Sequence, residues 1–161
     1  MPSPDNSDLA ELEPFLAAYL NRLGPGQRRR AMRKAMEALR RENARRIAAN
    51  IQPDGSAMEP RKPRKRLASG KGRVRRAKKM FPRIKLARSM NLRAGEDEGS
   101  LGFEGMVGHT AAAHHFGKKD FVGRARNGKT VRTRYPRRRL LGFAGEDIAM
   151  LGDVVLALLE K

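Results

Sequence analysis

His109, His114 and His115 are the only histidines in the chain, and there is no cysteine. They are therefore the first residues to test for metal or acid–base chemistry. Their i, i+5, i+6 spacing does not place two of them on one helix face, as an i, i+4 pair would. No carboxylate adjoins them in sequence, although one could arrive through the fold. A packed or hydrogen-bonded histidine is the expected state. Gly70-Lys71-Gly72 lacks the Lys-Ser/Thr pair and the preceding strand of a phosphate loop. The serines and threonines are scattered, with no nucleophile elbow. The adjacent carboxylates Glu96, Asp97 and Glu98 read as a solvated turn. The expectation is a protein that is not an enzyme and holds no cofactor or metal.

Composition points elsewhere. The chain has 161 residues, a net charge of +19 and 39% hydrophobic residues, enough for one modest domain. A pI near 11.4 draws such a surface to something anionic: nucleic acid, an acidic protein face or a membrane surface. The 5% aromatic content, with no tryptophan, argues against a base-stacking platform. No apolar run approaches the roughly 18–20 residues that span a bilayer, and residues 1–6 do not read as a secretory signal. A soluble protein made and used in the cytoplasm, without membrane contact, is expected.

The elements follow from periodicity. Residues 8–23 carry Leu9, Leu12, Leu16, Leu20 and Leu23 at helical spacing, with Asp8 and Glu11 resembling a capping box. This N-terminal helical arm, residues 1–24, ends at Gly24-Pro25-Gly26. The rest, residues 25–161, is expected to form the main domain. A long helix is predicted over 25–51, with Met32, Met36, Leu39, Ile47 and Ile51 on one side and Arg or Lys on the other. Asn43 falls on the apolar side, either as a partly exposed amide or as a buried one that fixes how the helix docks on a sheet. Asp54-Gly55 marks a turn.

From Arg61 to Arg93 there is no acidic residue. Within it, Arg61, Lys62, Arg64, Lys65, Arg66, Lys71, Arg73, Arg75, Arg76, Lys78 and Lys79 form a basic loop (61–79) that could contact a partner or DNA. Arg28–Arg30 and Arg132–Arg139 could bind phosphates as well. The run Ile84, Leu86, Ala87 and Met90 fits a short helix or a strand. Residues 90–94 and 100–105 read as strands around an acidic turn, with Phe103 pointing into the core. Residues 109–116 read as an Ala-rich helix stopped by Gly117. Residues 131–135 read as a half-exposed strand after an Asn127-Gly128 turn. The strand should stop before Pro136, with Leu140 and Leu141 tucked under the sheet and Gly142 turning the chain. Residues 145–161 read as a closing amphipathic helix. The predicted core is Leu39, Ile47, Phe103, Leu140, Leu141, Leu151 and Leu158.

The order of motifs is more specific than any one of them. Arg41-Glu-Asn-Ala-Arg-Arg-Ile47 is followed by Gln52-Pro-Asp-Gly-Ser56 and Pro60-Arg-Lys62. Met80-Phe81, Leu101-Gly-Phe103, His114-His-Phe-Gly117 and Tyr135-Pro-Arg-Arg-Arg-Leu-Leu-Gly-Phe143 come next. Over roughly residues 28–158 this series resembles the phage virion morphogenesis (tail completion) family of contractile-tailed phages. Where the family has a bulkier apolar pattern before His114, this chain has Thr110-Ala-Ala-Ala113.

The resemblance implies an α+β fold, with the long helix and the C-terminal helix packed on a small antiparallel sheet. It implies structural roles for Asn43, Asp54, Gly55, Phe103, His114, Phe116, Gly117, Tyr135, Pro136, Arg139, Leu140, Leu141 and Gly142. It also implies a virion component, at the tail end or neck, that terminates the tail and prepares it for head joining. Rings, hexameric by preference, are the implied assembly, with tail tube, sheath or connector proteins as neighbours. A non-specific basic nucleic-acid-binding protein is the alternative that charge alone supports equally.

Overall fold

The computed structural model describes residues 23–60, 80–124 and 127–159, together with Ala18. The N-terminal helix expected over 8–23 lies almost wholly outside these residues, and the basic segment 61–79 lies entirely outside them.

A long helix, α1 (Pro25–Ala49), is the axis of the fold. Pro25 occupies its first turn, where a missing N–H costs nothing. The Gln27 carboxamide oxygen accepts the Gly24 N–H at 3.1 Å, half of a capping box, since glycine has no side chain to complete it. The helix ends at Asn50, which adopts the left-handed conformation (φ 59°, ψ 41°) that asparagine tolerates better than most residues. Ala31, Ala35, Met36, Ala38, Leu39, Asn43 and Ile47 form its buried stripe.

A single 3₁₀ turn (Ala87–Ser89) precedes the hairpin β1 (Asn91–Ala94) and β2 (Gly99–Gly102). Helix α2 (Gly105–His115) leads into a second hairpin, β3 (Lys119–Arg124) and β4 (Thr130–Arg134). Helix α3 (Gly145–Leu159) closes the chain. Both sheets are two-stranded and antiparallel, so the fold is α+β. Helix α1 packs against β1, β2 and α3, whereas β3 and β4 pack chiefly against each other. The closing helix therefore rests on α1, not on a sheet.

The core groups Ile47, Met58, Ile84, Met90, Ala111 and Leu140, with Phe81, Leu101, Phe103, Val107 and Leu141 half-buried around it. Ile84 enters it from a turn and Met90 from the end of the 3₁₀ segment, so the apolar run 84–90 is not a strand and is helical only over the 3₁₀ turn 87–89. Phe103 lies one residue past β2 and is half-buried, not a strand residue aimed inward. The strand ends early because α2 starts four residues before the expected 109, and Gly108 closes on the Phe103 carbonyl. A Cβ at Gly108 would stand 2.6 Å from that oxygen. Leu39 is buried, Leu151 is half-buried, and the Leu158 side chain is outside the described set.

The acidic turn at 95–98 is not merely solvated. Asp97 is 3.2 Å from Arg28, and Glu96 is bonded to Arg29, both near the start of α1. Acidic groups at a helix N-terminus also meet the positive end of its dipole. Two of the arginines considered for phosphate contact thus already have carboxylate partners.

Ile47 has no exposed surface, so Ile47→Ala should destabilise the fold by about 2–5 kcal/mol. Phe103→Ala, at a half-buried position, should cost less. Urea melts of the two variants measure the order; a larger loss at Phe103 would contradict this core.

Candidate functional site: the cradle of the Pro136–Gly142 crossover

Between β4 and α3 the chain crosses the molecule without joining a ladder. Tyr135 makes the last strand-like bond, its N–H donating to the Lys118 carbonyl at 3.1 Å. Pro136 has no N–H to continue the pairing. Of the residues that follow, Arg138, Arg139, Leu140, Gly142 and Ala144 are buried or half-buried, and their N–H groups need acceptors from elsewhere.

The acceptors come from parts of the chain far apart in sequence. Arg138 N–H donates to the His114 carbonyl at 2.8 Å. Arg139 N–H donates to Gln52 Oε1 at 2.9 Å, and Leu140 N–H donates to His115 Nδ1 at 3.2 Å. Gly142 N–H donates to Asn43 Oδ1 at 3.1 Å. Ala144 N–H donates to Asp147 Oδ2 at 2.8 Å, which also caps the start of α3. The crossover is thus held by side chains where a sheet would use backbone.

Asn43 takes the buried alternative, at 1% exposure. Its amide nitrogen donates back to the Leu39 carbonyl at 2.9 Å, so both ends of the carboxamide are used. It docks α1 on the crossover, not on a sheet. One turn further along α1, Arg46 donates to both Asp147 oxygens at 2.9 and 2.7 Å and to the Gly142 carbonyl at 3.1 Å. This forked pair joins α1, the crossover and α3. Burial raises the Asp147 carboxyl, but the Arg46 hydrogen bonds and the Ala144 N–H outweigh it and hold it below the ordinary value of 3.8.

The Gln52–Ser56 turn forms the far wall. Gln52 and Ser56 close it, with Gln52 N–H on the Ser56 carbonyl at 2.8 Å. Asp54 accepts from the Ser56 hydroxyl and N–H at 2.6 and 3.0 Å, which holds its exposed carboxyl below 3.8. Gly55 turns the chain at φ 81°. The turn leaves Gln52 facing Arg139, Asp54 3.9 Å from the Arg139 guanidinium, and Pro53 against Gly142. A Cβ on Gly142 would lie 2.8 Å from Pro53 Cγ, so glycine is required there by close approach and not by a left-handed turn. Leu140, at 1% exposure, fills the core beneath, and Leu141 is half-buried beside it.

The His114–Gly117 motif forms the near wall. Gly117 turns the chain out of α2 at φ 65°, close against Arg137 and the Tyr135 carbonyl. His114 packs between Phe81, edge-on at 78°, and Tyr135, tilted at 53°, with ring centroids 4.9 and 4.4 Å away. Arg138, at 3% exposure, reaches His114 Nδ1 at 3.0 Å and the carbonyls of Glu59 and Pro60 at 2.7 and 3.2 Å. This buried arginine was read from the sequence only as one of several surface cations. Its guanidinium instead ties the crossover to the end of the segment after the turn. Ala111 and Ala113 are buried, so the small residues of Thr110–Ala113 let α2 pack closely. Phe116 departs from the core and is 60% exposed, as is Phe143 at 59%.

As chemistry, this is a clamp. His114 and His115 are engaged in packing and hydrogen bonds, and Asp120 lies 3.6 Å from His109 on the surface. Among the described residues no three of His, Asp and Glu are grouped to hold a metal ion. No described helix is long and apolar enough to cross a membrane. The contact residues expected at 61–79 lie outside the described structure, so its geometry assigns them no place.

Removing the Asn43 carboxamide leaves the Gly142 N–H without its acceptor. Asn43→Ala should cost about 1–3 kcal/mol in urea unfolding, and a variant as stable as the parent would remove Asn43 from this role. His115 gives a pH signature. Burial first, then Arg139 and Arg137, push its imidazole below the ordinary value of 6.5. The native state therefore binds fewer protons than the unfolded state once pH falls below that value. Stability should be full above about pH 6.5 and decline as pH drops towards the native value. His115→Asn should flatten this decline, read as the urea midpoint at pH 7.5 against pH 5.5.

Comparison with known proteins places these motifs in context. A model of the phage virion morphogenesis family matches residues 7–160. The tail completion protein S of Escherichia phage P2 is 33% identical over 156 residues, covering 96% of this chain and 99% of that protein. No solved structure matches the chain. The match begins at residue 7, so it takes in the N-terminal segment that motif reading had left aside. The chain belongs to the phage virion morphogenesis family.

Proposed function

We propose that this protein is a structural tail completion subunit, which terminates a phage tail and prepares it for joining to the head, without catalytic turnover. The observation that carries this reading is the end-to-end match with a protein named for tail completion: almost all of both chains aligns. The cradle supports it physically. The Arg41–Ile47, Gln52–Ser56 and His114–Gly117 motifs of the family series all supply side chains that fix one backbone crossover. A part that works by shape needs that rigidity.

The working form is a homo-oligomeric ring, hexameric by preference, within the virion at the tail end or neck, assembled in the host cytoplasm. Phe116 and Phe143 support a subunit interface because each leaves the cradle for solvent at its edge, against the ordinary gain from apolar burial. Segment 61–79 is a contact arm whose Arg and Lys residues meet an acidic tail, sheath or connector surface. The non-specific nucleic-acid protein remains a separate reading of charge, and the family match does not favour it.

Two measurements test this. The native mass of the purified protein in moderate salt, free of nucleic acid, should be that of a closed oligomer, and Phe116→Ser with Phe143→Ser should reduce it. A monomer that assembles only on nucleic acid would overturn the ring. Replacing several Arg and Lys residues of 61–79 with Ser should leave the melting temperature nearly unchanged while weakening attachment of tails to heads. Unfolding of that variant, or unimpaired joining, would remove the arm from the account.

A further inference from the structure

The β3–β4 hairpin presents a face that the fold leaves unused. Its register pairs Lys119 with Arg134, Phe121 with Arg132 and Arg124 with Thr130. Paired residues share a face, and residues two apart along a strand do too. A register shift between Phe121 and Gly123 brings Arg124 opposite Thr130, on the side of Arg132, so Lys119, Arg124, Arg132 and Arg134 share that side of the ribbon with Phe121, and all five are exposed. Val122 and Thr133 lie towards a cleft shared with Phe81 and Tyr135, which Arg134 at the end of β4 also lines. The one acidic residue of the two strands, Asp120, pairs with Thr133 on that other side, near His109.

None of the four cations has a carboxylate partner among the described residues, where Glu42, Asp54, Glu96, Asp97, Glu104 and Asp147 are all taken up by other arginines. A second copy of a chain with net charge +19 is a poor source of the missing negative charge. An acidic protein would also meet little apolar surface here, with Phe121 alone at the centre, whereas protein interfaces exclude charge from their cores. A two-stranded ribbon fits the major groove of a duplex, and arginine, three of the four cations, suits phosphate oxygens.

We propose that the Lys119–Arg134 face of the β3–β4 hairpin binds the phosphate backbone of double-stranded DNA, without sequence preference. The proposal does not depend on the tail completion reading. It assigns to a folded surface, distinct from segment 61–79, a contact with the nucleic acid.

The test is fluorescence anisotropy of the full-length protein with two 30-base-pair duplexes of unrelated sequence, across a salt series. It is run on the parent and on a variant with the 61–79 cations replaced by Ser, so that the hairpin is read with and without that background. Adding Lys119→Ser, Arg124→Ser, Arg132→Ser and Arg134→Ser should make the slope of log affinity against log salt shallower by about 2–4, at roughly 0.9 per phosphate lost. Both duplexes should respond alike. If the fourfold variant does not melt cooperatively, single Arg132→Ser and Arg134→Ser variants should each reduce the slope by about 1. Slopes unchanged in folded variants would overturn the proposal. So would loss of binding to poly-glutamate in place of DNA, since that result assigns the face to an acidic protein.

Discussion

The fold depends on satisfying a stretch of backbone that belongs to no sheet and no helix. A buried N–H without an acceptor costs about 1–3 kcal/mol, and the crossover from Pro136 to Ala144 carries several. Asn43, Gln52, His115 and Asp147 accept from four of them, and the His114 carbonyl accepts from a fifth. These acceptors come from α1, the turn after it, α2 and α3. One strand of chain therefore fixes the relative placement of three helices. The motifs lie far apart in sequence because they meet only there.

Charge is divided along the same line. Inside the cradle the guanidinium groups of Arg46 and Arg138 are met by directed acceptors, the Asp147 carboxylate and the Gly142 carbonyl for the two terminal nitrogens of Arg46, and the Glu59 and Pro60 carbonyls for Arg138, as desolvated charge requires. Outside it, Glu42, Glu96, Asp97 and Glu104 are committed to neighbouring arginines. The fold thus consumes much of its negative charge internally and leaves its positive excess on the surface. Such an arrangement does little for stability, because exposed like charges repel. It suits a protein whose net charge is meant to be neutralised by something it assembles with.

Periodicity and turn residues made the elements legible: α1, the acidic hairpin turn, the Asn127-Gly128 turn and the closing helix all follow from spacing. The site was legible only as an ordered set of motifs. Nothing in the residues 135–142 says that Arg138 turns inward while Arg137 stays exposed, because an arginine run has no period that separates the two. The signal lay in its neighbours. Pro136 ends the ladder, so the next N–H groups need other partners, and the apolar pair Leu140-Leu141 shows that the segment passes under the body. Phe103 was misjudged for a different reason. A residue flanked by glycines after a strand-like run looks like a strand end, but Gly102 and Gly105 serve the entry into α2, whose start is set by the tight contact of Gly108 on the Phe103 carbonyl.

The same logic explains why the family series reads as weak motifs that become specific in order. Asn, Gln, His and Asp are ordinary surface residues when taken singly. Each becomes constrained only because its acceptor atom faces a particular N–H of the crossover, and that N–H exists as a problem only because Pro136 stopped the strand. Exchanging Asn43 for an isosteric leucine keeps the volume and loses the acceptor, and exchanging Gly142 for alanine keeps the N–H but pushes against Pro53. The two changes attack one contact from opposite sides, by chemistry and by shape. Chemistry and shape, the two means by which the crossover holds its form, thus converge on the Asn43–Gly142 bond.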